Sequence, residues 1–168
     1  LDLGVVRSDE YGAKDVILQG TGTASIDSVQ ANIGEVSIVK EENNTWTIRN
    51  DSVYSGTTSV NAGTLLINGD NSAATGNVTV AAGATLGGSG TIGGNAIISG
   101  TLTAGNAAAA DTDIPGSTLA MNGDLSAVSG ATWLVDINNA ITGTSDLIAL
   151  GDISSRTIDL TNFNLVLN

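Results

Sequence analysis

Asp111 and Asp113 flank Thr112 in a stretch of small residues, and sugar-polymer hydrolysis would have to start there. That chemistry needs two carboxylates at a fixed separation, one as acid and the other as nucleophile or base. No third acid and no basic residue lies close to this pair in sequence, so it reads as part of a solvated loop. The chain has no His and no Cys. Ser-His-Asp and Cys-His catalysis are thereby removed, and so are the usual zinc ligands. A lyase would want a Lys or Arg base, and none occurs between Arg49 and Arg156. Gly87-Gly88-Ser89-Gly90-Thr91 matches half of a calcium-binding nonapeptide, but Thr91 stands where the Asp is required. The expectation is a protein that is not an enzyme, with no catalytic residue, no cofactor and no metal site.

Charge narrows the partners. The net charge is −12, carried against five basic residues: Arg7, Lys14, Lys40, Arg49 and Arg156. Phosphate backbones are held by Lys and Arg, so no nucleic acid is expected as a partner. Aromatics make up 3% of the chain. Trp46, Tyr54, Trp133 and Phe163 each lie in or beside an apolar run, which assigns them to core or cap packing rather than to sugar stacking. Ice binding would need a long regular Thr-x-Thr array, which the sequence does not display.

The elements that position these residues announce themselves by repetition. A small residue and Gly are followed, after at most one more residue, by Thr and a large apolar residue. The phrase recurs at Ala62-Gly63-Thr64-Leu65, Ala82-Gly83-Ala84-Thr85-Leu86, Ser99-Gly100-Thr101-Leu102, Gly116-Ser117-Thr118-Leu119 and Ser129-Gly130-Ala131-Thr132-Trp133. The apolar anchors at 65, 86, 102, 119 and 133 are 21, 16, 17 and 14 residues apart, and steps of this size suit one turn of a solenoid. A β-sandwich would predict turns every 8–12 residues or so and no recurring phrase. The many Gly and the scarcity of large aromatics favour a narrow, regular core. A parallel β-helix of roughly eight coils follows, at ~20 residues per turn. Leu65, Leu86, Leu102, Leu119 and Trp133 are expected to stack in one interior column, each preceding Thr outside, with Gly63, Gly83 and Gly100 at a corner where positive φ suits Gly. Leu86, Ile92 and Ile98 are spaced by six residues. Residues 1–35 read as less regular N-terminal coils with turns at Gly20, Gly22 and Gly34. Residues 36–105 form the repeat region, 106–116 a loop insertion, and 117–168 the C-terminal coils of one 1–168 segment.

Val39–Gly105 resembles the passenger-associated repeat of bacterial autotransporters, the type V secretion system. The matching residues are Val39-Lys40, Thr45-Trp46-Thr47-Ile48, Tyr54–Leu65, Gly76-Asn77-Val78-Thr79-Val80, Gly83–Asn95 and Ile97–Gly105. Leu119 to Leu150 is similar to the end of such a passenger. The resemblance implies a right-handed parallel β-helix on the bacterial cell surface or secreted, exported through the periplasm. It also implies an outer-membrane β-barrel translocator in the same full-length chain. The function expected is a non-catalytic stalk segment for surface display, adhesion or self-association, with C-terminal coils aiding folding during secretion. Its partners would be a host surface or extracellular-matrix ligand, or a second copy. Two alternatives accompany it: a ligand- or glycan-binding adhesin module using the 104–116 loop, and a β-helical carbohydrate-active enzyme.

Overall fold

The computed structural model describes residues 1–105, 117–135, 147–151, 154 and 156–167. Strands and turns account for all of them, with no helix among the described residues. One sheet holds β1 (Asp2–Leu3), β3 (Thr23–Ile26), β5 (Thr45–Ile48), β7 (Thr64–Ile67), β10 (Thr85–Gly87), β13 (Thr101–Thr103), β16 (Thr132–Val135) and β19 (Asn164–Leu167). A second holds β2 (Val6–Leu18), β4 (Val29–Lys40), β6 (Thr58–Val60), β9 (Val78–Val80), β12 (Ala96–Ile98), β15 (Leu125–Ala127) and β18 (Ile158–Asp159). The third is β8 (Asp70–Asn71), β11 (Thr91–Ile92), β14 (Thr118–Met121) and β17 (Leu147–Leu150). Within each sheet every strand pairs in parallel with the strand one coil away. From β7 onward the chain visits the first, third and second sheets in turn. This is a parallel β-helix, and the eight strands of its first sheet mark eight coils.

Alternation along each short strand sends every second residue inward. In the first sheet Ala24, Trp46, Leu65, Leu86, Leu102 and Trp133 stand in one interior column. In the second sheet the column is Leu18, Lys40, Val60, Val80, Ile98 and Ala127. In the third it is Asn71, Ile92, Met121 and Leu150. Leu86, Ile92 and Ile98 therefore take one face each of a single triangular coil, and all three are buried. Full burial of a Leu or Ile contributes ~1.5–3 kcal/mol, and the core repeats that gain coil after coil.

Three expectations are corrected. Leu119 is buried but does not join the Leu65 column: it pairs with Ile148 in the third sheet. Its Thr-Leu phrase opens a different face, and the same-face anchors 46, 65, 86, 102, 133 and 165 are spaced by 19, 21, 16, 31 and 32 residues. Gly34 is no turn, because β4 runs straight through it. There the pairing slips: Asp9 pairs with Ile33 and Ala13 with Glu35, so Glu10-Tyr11-Gly12 arch over Gly34. Gly34 has φ 80, and a side chain on it would stand 2.6 Å from the carbonyl oxygens of Glu10 and Gly12. Gly100 sits at its corner without positive φ, unlike Gly63 and Gly83. It is needed because a Cβ there would collide with the Ala84 and Ala81 carbonyl oxygens.

A second glycine column escaped the repeat. Gly56, Gly76, Gly94 and Gly123 stack at the corner entering the second sheet, each one's Cα against the carbonyl of the coil before. A Cβ on Gly76 would collide with the Gly56 carbonyl, and one on Gly94 with that of Gly76. The residues that follow these glycines, Thr57 and Asn77, accept coil-to-coil bonds from the Ile38 and Thr58 N–H groups, which resist any shift of the corner. Gly94→Ala is expected to lower unfolding stability by about 1–3 kcal/mol in urea titration. Gly4→Ala, with open space around it, should leave the midpoint within error.

Candidate functional site

Four surface and core features could host function, and the outward face of the first sheet is the most regular. Thr23, Thr45, Thr64, Thr85, Thr101 and Thr132 form one unbroken outward column. The neighbouring outward rank reads Ser25, Thr47, Leu66, Gly87, Thr103 and Leu134. Hydroxyls fill both ranks in three of these coils only. Leu66 and Thr103 are 8% and 2% exposed, so the second rank is closed to a flat ligand.

The aromatic residues are placed largely inside. Trp46 and Tyr54 belong to the core, and the Tyr54 hydroxyl shares a 2.8 Å hydrogen bond with the Thr58 hydroxyl. Burial pushes the Tyr54 phenol above its ordinary pKa, against the opposing hydrogen bonds. Trp133 and Phe163 pack against the core with ring centroids 6.1 Å apart at 60°. The aromatic presented to solvent is instead Tyr11, 85% exposed on the arch above Gly34. Its local sequence, Asp9-Glu10-Tyr11-Gly12, carries the polar and Gly signals of a protruding segment, and sequence reading passed over it.

An open notch of about 420 Å³ lies beside that arch. Val6, Val16, Val29 and Val36 supply its apolar lining, and Glu10 and Lys14 line it as an ion pair at 3.4 Å. Asp111 and Asp113, and the rest of the 104–116 loop beyond Gly105, lie outside the described residues. Gly105 itself exchanges two backbone hydrogen bonds of 2.8 Å with Gly88, in antiparallel sense. Thr91 points outward on the third sheet between Asp70 and Ala120. Among the described residues no three His, Cys, Asp or Glu converge as a metal-holding group.

The most elaborate polar constellation is internal. Lys40 is fully buried in the second sheet's interior column. Its ammonium donates to three backbone carbonyls: Glu41 at 2.5 Å, Glu42 at 2.7 Å and Ala62 at 3.0 Å. Burial pushes this ammonium below the usual lysine range, while the charges of Glu41 and Glu42 pull it back up. The sequence signal was present in Val36-Ser37-Ile38-Val39-Lys40, where strict alternation puts Lys on the inward side.

No family model, no curated protein and no solved structure matches the chain. The geometry therefore stands by itself. It defines a β-helical scaffold whose described polar groups are mostly spent on holding neighbouring coils together.

Three exposed acids set a pH response. The Arg49 side chain holds the Asp2 carboxyl below its usual range, the Ser72 backbone N–H does so for Asp70, and the Thr161 hydroxyl for Asp159. A carboxyl lowered in the folded state binds protons more readily once unfolded. Its contribution is present above the unfolded pKa, about 4, and is lost as pH falls through the folded value. Urea midpoints are thus expected to drop between neutral pH and pH ~3. Asp70→Asn, which can still accept from Ser72, should flatten part of that drop.

Proposed function

We propose that this chain is a non-catalytic β-helical stalk segment of a bacterial autotransporter passenger, serving surface display, adhesion or self-association. The carrying observation is the register. Eight strands of one sheet stack in parallel without a break in order, each paired only with its neighbours. In such a solenoid each coil templates the next. A chain of this kind can fold progressively from one end as it leaves a narrow pore, and with no Cys it needs no disulfide to do so. The likeness of Val39–Gly105 to the passenger repeat supports the same reading. On that reading the translocating partner is an outer-membrane β-barrel of the same full-length chain, and the C-terminal coils assist folding outside the cell. The adhesive partner is a host-surface or extracellular-matrix ligand, or a second copy.

Residues 1–168 placed in frame between an export signal and an autotransporter barrel provide the test in a Gram-negative host. The segment should reach the surface, be bound by antibody on intact cells, and yield a protease-resistant β-sheet fragment on release. Barrel insertion with the segment retained in the periplasm would overturn the reading, as would cleavage of a polysaccharide by the purified chain.

A further inference from the structure

The Lys40 constellation does more than satisfy a buried charge. Three successive corners lead from the second sheet back to the first. The corner before β3 contains Gly20, the one before β5 is Glu41–Asn44, and the one before β7 is Asn61–Gly63. The middle corner reaches both of the others. Glu42 accepts the Gly20 backbone N–H at 2.7 Å through its carboxylate. Glu41 accepts the Asn61 side-chain amide at 2.8 Å through its own. With both carboxylates so engaged, the Lys40 ammonium turns to carbonyl oxygens from the middle and following corners, Glu41 and Glu42 on one side and Ala62 on the other.

Glu42 keeps the conformation usual at these corners without being Gly. It is the non-Gly residue with positive φ, at 61°, among the described residues. Equivalent corners in later coils place Gly63, Gly83 and Gly130 in that conformation, at φ 67°, 82° and 97°. A side chain there costs conformational energy unless the surroundings hold it. Here the conformation aims the Glu42 carbonyl at Nζ and its carboxylate at Gly20. Three carbonyl oxygens converging at 2.5–3.0 Å match the three donors of an ammonium.

We propose that the 41–44 corner and Ala62 form a preorganised cation site, that the tethered ammonium of Lys40 is its ligand, and that this latch keeps the three corners in register. It strengthens the coupling of each of these coils to its neighbour, beyond what strand stacking supplies. It is independent of the display reading, since a stalk may be exported with or without such a latch.

Lys40→Met keeps the length and apolar stem but removes the charge. Amide hydrogen exchange in this variant should accelerate by about tenfold or more at Gly20, Asn44 and Thr64, while Ala96 and Ser99 stay protected. Lys40→Ala removes a fragment equivalent to n-propylammonium. That variant should unfold at lower temperature than the parent and regain several degrees in roughly 0.1 M n-propylammonium chloride. Tetramethylammonium chloride, a cation without N–H donors, should give no such recovery. Unchanged exchange in Lys40→Met would overturn the latch. Equal recovery in both salts, or none in either, would overturn the cation site. If Lys40→Ala does not fold in plain buffer, the same comparison is read as folding yield in the two salts.

Discussion

The structure depends on one constraint: the backbone groups of each coil's strands bond to the coils before and after it. Parallel pairing leaves each strand dependent on a neighbour a full turn away, so the separation between coils is fixed at about 4.8 Å along the whole axis. Corners feel this spacing most, because there the chain turns and its carbonyls point along the axis. Gly56, Gly76, Gly94 and Gly123 answer that demand at one corner by removing the Cβ that would meet the preceding carbonyl. Gly69 and Gly90 answer it at another, where each approaches the backbone of the coil before. The glycines are spent on proximity as much as on unusual φ.

Where backbone alone cannot bridge the corners, short polar side chains do. Asn68 accepts the Ser89 N–H, Asn71 the Ser52 N–H, Asn95 the Asp124 N–H, and Asp124 the Thr157 N–H. Each bond crosses between coils at a turn, in the way Asx side chains mimic backbone elsewhere. The outward Thr column leaves the interior free for aliphatic stacking. Charge is confined mainly to turns and to the first coil, where Arg49 gathers Asp2 and Asp27. The same rule explains the tolerance for a buried lysine. Its ammonium reaches a corner, the one place inside such a helix where several carbonyls from two coils can converge.

How far the sequence disclosed this follows from which signals are local. The Thr-Leu phrase identified the interior column through Leu65, Leu86, Leu102 and Trp133. Leu119 carries the same local phrase on another face, since a dipeptide cannot report which of the three sheets it joins. β4 was read as broken by Gly34 because a lone Gly signals a turn. The three-for-one slip that makes room for it exists only between coils. The second glycine column has the weak local form Gly-polar-apolar, at Gly76-Asn77-Val78, Gly94-Asn95-Ala96 and Gly123-Asp124-Leu125. It becomes evident once those positions are stacked.

The same physics bears on what such a chain can do. A catalytic centre asks for several titratable groups fixed around one point. A solenoid brings residues of equivalent position into columns, so a cluster requires departures from the repeat. The described departures are the Glu10–Gly12 arch, the Gly88–Gly105 pairing and the Lys40 corner. The first presents an exposed Tyr11 beside an open notch, the second marks where the chain leaves the first sheet, and the third ties coils together. The regular coils supply length and rigidity, and specificity, where this molecule has any, must be sought at points where regularity is broken.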